Sequence, residues 1–148
     1  MFEATIERVF SAAHALRLPS GQFEPMHGHD WRVAVTVASP KLDAMDTVMD
    51  FHQLEALVEA VVGPWRNRCL NEVPPFADAG GGSGREPGSE GVSGGGGGLT
   101  VNPSAERVAE RIAAAVSGGL PDGVWLREVS VGEAPGCTAR YRADAESI

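Results

Sequence analysis

Four histidines occur in the 148 residues, and two of them stand two apart in the stretch "FEPMHGHDW", at His27 and His29. Residues i and i+2 of a strand project from the same face, so both imidazoles point one way at the start of the alternating run that follows. His14 closes the preceding alternating run, where a hairpin partner brings it beside them. Three converging imidazoles with no fourth protein ligand are the donor set of a catalytic zinc site, whose open position takes water or substrate. A structural zinc would favour cysteine-rich closure, which the chain lacks. The alternative is that His-x-His is incidental and His14 packs against the sheet; the pattern alone goes no further.

The elements that must carry these residues are visible in the periodicity. In residues 2–13 Phe2, Ala4, Ile6, Arg8 and Phe10 share one face of a strand, and "HDWRVAVTVAS" (29–39) alternates more cleanly. There Trp31, Val33, Val35 and Val37 fall on one side, with His29, Arg32, Ala34 and Thr36 off it, and Pro40 ends the run because it cannot donate to the ladder. "MDFHQLEALVEAVVGPW" changes period: Leu54, Leu57, Val58, Val61 and Val62 follow helical spacing behind an N-cap at Asp50. "NPSAERVAERIAAAVSGGL" is the clearest helix, capped by Ser104, with Val108, Ile112, Ala115 and Val116 as its buried stripe and Gly118-Gly119 closing it. "VWLREVSVGEA" and "CTARYRA" return to strand alternation around Pro135-Gly136. Two strands, two helices and two strands predict an α+β domain, with antiparallel hairpins and both helices on one face.

Residues 77–98 contain more than half of the glycines and no apolar periodicity, so they read as a flexible insertion within one domain spanning 1–148. The net charge of −8 argues against nucleic acid or an anionic membrane as main partner. No apolar run approaches the roughly 20 residues of a membrane span, and "MFEATIERVF" lacks the pattern of a secretion signal. Cys69 and Cys137 are too few for a disulfide framework and lack CxxC spacing, and both are expected to be small buried residues. These features predict a cytoplasmic protein.

Taken in order, "FSAAH", "HGHDW", "MDFHQL", "LNEVPP", "NPSAERVAERI" and "VSVGEAPGCTARY" resemble the 6-pyruvoyltetrahydropterin synthase family, which includes the 6-carboxytetrahydropterin synthases of queuosine biosynthesis. The likeness covers nearly the whole chain outside 77–98. It implies the tunnelling fold, in which three subunits close four-stranded sheets into a barrel and two trimers commonly stack into a hexamer. It implies Zn2+ held by His14, His27 and His29, a pterin-like small-molecule substrate such as 7,8-dihydroneopterin triphosphate, and a homo-oligomer with sites between subunits. Glu133, in "VGEA", takes the place of the family's pterin anchor, and Ser104 that of a residue touching the ring.

Two departures bear on catalysis. The family's cysteine, four residues before the first histidine of the pair, is Phe23 here, and the adjacent Glu24 looks like the replacement acid/base, as in one branch of the family. The family's Asp-His pair before "LN" is replaced by Arg66 and Asn67, neither of which relays protons near neutral pH. Arg66 and Arg68 are either anion-binding groups or solvated charges, Cys69 and Cys137 are alternative nucleophiles, and His52 reads as structural. The resemblance therefore predicts a pterin-side-chain lyase, with an altered substrate or a non-catalytic zinc- and pterin-binding relative as alternatives.

Overall fold

The computed structural model describes residues 1–78 and 99–144. Strand β1 (Phe2–His14) and strand β2 (His27–Ser39) form a long antiparallel hairpin, in register from Phe2 opposite Ser39 to His14 opposite His27. Helix α1 (Phe51–Val62), a short edge strand β3 (Arg68–Cys69) and helix α2 (Ala105–Ser117) follow, then β4 (Trp125–Ala134) and β5 (Cys137–Arg142). The sheet runs β3-β1-β2-β4-β5, antiparallel except where β3 lies parallel to the end of β1. The α+β class and both hairpins are as expected. The two-residue β3 was not foreseen, because so short a strand carries no periodicity.

Strand alternation decides which side meets the helices. Ile6, Phe10, Trp31, Val33, Val35, Val37, Val129 and Val131 are buried and pack with Leu54, Val58 and Val62 of α1 and Val108, Ala109, Ile112 and Val116 of α2. Each fully buried valine or leucine contributes about 1.5–3 kcal/mol. Both helices begin as their sequences require: Asp50 accepts from the His52 N–H at 2.8 Å and Ser104 from the Arg107 N–H at 3.3 Å. In α2 the stripe takes in Ala105, Ala109 and Ala113, whereas Ala115 is exposed, since four residues on from Ala109 falls closer to the core than six. The helices meet closely beyond α2, where a Cβ at Gly119 would collide with Leu57.

Ala77, taken as the first residue of the insertion, is buried and bridges Leu99, and Thr100 donates to the Phe76 carbonyl at 2.9 Å. The inserted segment thus leaves and rejoins the domain at one point. Its remainder, 79–98, lies outside the described residues.

Candidate metal centre

All three histidines stand at one end of the sheet on the helix-facing side. Residues 27, 29 and 31 share strand parity, so His29 lies on the Trp31 face, not off it as expected; its ring meets the Trp31 indole edge-on at 5.5 Å. His14 is directly opposite His27 across the hairpin, and His29 is opposite Ala12, a side chain too small to fill the space between the rings. Ring centroids are 4.7 Å apart for His14 and His27, 5.1 Å for His14 and His29, and 4.8 Å for His27 and His29. Exposure grades outward from His14 (0%) through His29 (19%) to His27 (40%), so the cluster opens to solvent on the His27 side.

Glu133 completes the group. It lies two residues beyond Val131, on the same face, at an irregularity in the β4–β5 pairing between Gly132 and Ala134. Its Oε1 is 2.7 Å from His14 Nε2 and 3.1 Å from His29 Nε2. One ligand atom from each of His14, His27, His29 and Glu133 falls within 4.8 Å of all the others. The residue expected to anchor substrate therefore also stands within reach of an ion held by the histidines.

The hydrogen bonds around the rings determine which nitrogens face inward. His14 Nδ1 is 2.7 Å from the Pro103 carbonyl and His27 Nδ1 is 2.8 Å from the Pro25 carbonyl. A carbonyl oxygen only accepts, so both Nδ1 atoms carry the proton and both Nε2 atoms present lone pairs in the neutral rings. Those two Nε2 atoms lie 3.1 Å apart with a carboxylate oxygen beside them. Converging lone pairs repel unless a proton or a cation lies among them. His29 Nε2 is buried and makes no well-formed hydrogen bond among the described residues, although Glu133 Oε1 lies 3.1 Å away. Burial holds the His29 imidazole below its ordinary value; Glu133 opposes this, and His14 and His27 reinforce it. The neutral form is the one that ligates a metal. Three imidazole nitrogens and the outer-shell carbonyls that orient two of them are a donor set that fits zinc, with the Glu133 carboxylate beside it.

The remaining expected residues divide between near and far. Glu24 is close: its Oε1 accepts from the Leu16 N–H at 3.0 Å and lies 4.0 Å from His27 Nε2. Ser104 spends its hydroxyl on the α2 cap, directly after the Pro103 that holds His14. Arg66 is committed elsewhere, with Nη2 at 2.9 Å from both Glu59 oxygens and Nη1 donating to the Val9 carbonyl at 3.0 Å. Asn67 occupies a left-handed conformation (φ 58) and donates its N–H to the Ser11 carbonyl at 2.6 Å.

Cys69 is half-buried, 3.6 Å from the Met26 sulfur, and burial raises its thiol above the ordinary value. It lines an open cleft of about 620 Å³ together with Ser11, His29, Asp30, Asn67 and Arg68. Cys137 is exposed, contrary to expectation, because β5 is the outer strand of the sheet. His52 is at the solvent, 3.2 Å from the capping carboxylate of Asp50. Sequence reasoning missed the Pro103 and Pro25 carbonyls, since a backbone group leaves no mark in residue type.

Fold and site together define a class: an α+β domain with the tunnelling-fold sheet, carrying a three-histidine centre at the end of its first hairpin. Residues 3–144 match the 6-pyruvoyl tetrahydropterin synthase family, and the chain belongs to it. Among solved structures it is similar to the Caenorhabditis elegans 6-pyruvoyl tetrahydropterin synthase (21% identity, TM-score 0.68, covering 97% of this chain and 98% of that one). A Plasmodium vivax 6-pyruvoyltetrahydropterin synthase carrying a glutamate-to-alanine change of a catalytic residue matches at 16% identity and TM-score 0.68, over 97% and 98% of the two chains. An uncharacterised Wolinella succinogenes protein matches at 20% identity and TM-score 0.63, over 97% and 100%. No curated protein matches in sequence. No helix among the described residues is long and apolar enough to cross a membrane.

Proposed function

We propose that the chain is a zinc-dependent lyase acting on the side chain of 7,8-dihydroneopterin triphosphate or a related dihydropterin. The observation that supports this most is the convergence of His14, His27 and His29 Nε2 atoms beside a carboxylate, within 4.8 Å. Zinc on these nitrogens supplies a Lewis acid that polarises side-chain oxygens of the substrate and acidifies the neighbouring C–H or O–H bonds.

Glu24 is the acid/base residue. Leu16 holds one of its oxygens beside His27, at the solvent-facing side of the cluster, where a substrate side chain enters. The P. vivax relative, whose catalytic residue is named as a glutamate, supports a carboxylate in this role. Glu133 anchors the pterin, since a carboxylate accepts two hydrogen bonds from a ring N–H and an exocyclic amino group. Ser104, next to the Pro103 that holds His14, is assigned to the pterin ring as well. The product follows either from loss of triphosphate with rearrangement or from carbon–carbon cleavage.

The same reading places the enzyme in the cytoplasm as a trimer or hexamer. Strand β5 is outermost on one side, and on the other β3 pairs with only Ala12 and Ala13 of β1, so the sheet has edges that a second copy would cover. One observation favours an altered substrate or a protein without turnover: Arg66 and Asn67 stand where the family has its proton-relaying pair, and Arg66 is bound to Glu59 and Val9. Incubation of zinc-loaded protein with 7,8-dihydroneopterin triphosphate, followed by mass spectrometry, separates the readings. A 6-pyruvoyl, 6-carboxy or 6-hydroxymethyl pterin product is expected; intact substrate after many equivalents of enzyme sinks the lyase assignment. Activity that survives Glu24→Gln removes Glu24 from the chemistry.

A further inference from the structure

Four consecutive residues, His14 at the end of β1 and the three that follow it, each grip a different part of the molecule. His14 Nδ1 donates to the Pro103 carbonyl at 2.7 Å. Ala15 donates its N–H to Asn71 Oδ1 at 2.9 Å and accepts from Asn71 Nδ2 at 2.7 Å. Leu16 donates to Glu24 Oε1 and accepts from the Glu24 N–H, both at 3.0 Å. Arg17 donates to Asn102 Oδ1 at 2.7 Å and accepts from Asn102 Nδ2 at 3.0 Å.

A side-chain amide that pairs with both N–H and C=O of one residue replaces a neighbouring strand. Residues 15–17 therefore continue beyond β1 as a segment held by two asparagine side chains and by Glu24, with Arg17 also bridging Phe23. Asn102 reaches the metal centre by a second route. It is followed by Pro103, whose ring fixes φ, so a clamp on Arg17 also locates the carbonyl that orients His14.

We propose that Asn102, seconded by Asn71, is a positioning residue that couples the metal centre to the acid/base carboxylate. Its amide sets where Leu16 presents Glu24 and, through Pro103, which nitrogen of His14 faces inward. The inference rests on the zinc reading above and extends it to two residues that touch neither metal nor substrate.

The test uses the full chain and the Asn102→Ala, Asn102→Asp and Asn71→Ala variants. Zinc affinity is measured by competition with a chromogenic chelator, and the Co2+ form is read by its visible absorption. Asn102→Ala is expected to lose about 10–100-fold in zinc affinity and to shift the cobalt bands, as loss of an outer-shell partner does. Asn102→Asp keeps the bond from the Arg17 N–H and loses the one to its carbonyl, so it falls between Asn102→Ala and wild type, and it serves if the alanine variant fails to fold. Asn71→Ala, which removes the grip on Ala15 and a long contact from the Cys69 thiol, is expected to bind zinc within about threefold of wild type and to lower kcat more than it raises KM, through Glu24. A role confined to stability would lower the melting temperature and leave zinc affinity and cobalt bands unmoved in the folded variants; that result overturns the inference alone. Wild-type protein that binds no metal overturns the zinc reading and the inference with it.

Discussion

The two halves of the candidate site are built differently. The metal half, His14, His27 and His29, hangs on the paired ends of β1 and β2, where register and pleat leave each ring one direction. The half proposed for proton transfer lies on connections: Glu24 in the loop before β2, and Arg66 and Asn67, at the expected relay positions, in the turn between α1 and β3. By the family resemblance the first half keeps the expected residues, whereas in the second Phe23 stands where a cysteine is expected and Arg66-Asn67 where an Asp-His pair is. A ladder of paired residues tolerates little change, because one slip turns every side chain to the other face. A turn that keeps its backbone bonds accepts new side chains, as Asn67 does while holding the Ser11 carbonyl.

The sharpest way to break this comparison is to attack the rigid half. His14→Ala removes the most buried ligand and its bond to Pro103. We expect loss of stoichiometric zinc, measured by elemental analysis, and a destabilisation of about 2–4 kcal/mol in urea titration. Retained zinc would mean that the other groups suffice. In the exchangeable half the effects should be smaller. Asn67→Val forces a β-branched residue into a left-handed conformation and should cost about 1–2 kcal/mol without releasing zinc. Asn67→His, in contrast, tolerates that conformation and reinstates the family's residue, so its melting temperature should stay near wild type.

A third contrast concerns Arg66, which is partly exposed and serves Glu59 and Val9. Arg66→Ala should lower stability by no more than about 1 kcal/mol and leave the binding of a triphosphate-bearing pterin unchanged by calorimetry. A large drop in affinity would return this arginine to the site. The smallest effect is a matter of rate. Iodoacetamide near neutral pH should label exposed Cys137 well before Cys69, whose thiol is half-buried and raised; peptide mapping over time decides it.

Most of the fold can be read from alternation and capping. Trp31, Val33, Val35 and Val37 mark the core face of β2 without ambiguity, and Asp50 and Ser104 stand where the helices start. The errors have common physical causes. His29 belongs to the Trp31 face by simple parity, and its polarity disguised it. Ala113 and Ala115 are the same residue type, so only the helix angle against the sheet separates buried from exposed. β3 exists because it meets Ala12 and Ala13, not because of anything in Arg68-Cys69. Cys137 is exposed because β5 ends the sheet, a property of strand order that no local stretch contains.

What the amino-acid order determines by itself is direction along each element: which residues share a face, where helices start, and that two histidines two apart point together. It also limits the chemistry, since Arg66 and Asn67 cannot relay a proton whatever their surroundings. What only the tertiary structure decides is convergence. Pairing across the hairpin sets His14 opposite His27, strand order brings Glu133 to them from the far part of the chain, and Pro103 and Pro25 turn the rings so that their lone pairs meet. Those relations join residues distant in sequence or backbone atoms common to all residues, and neither leaves a local signature.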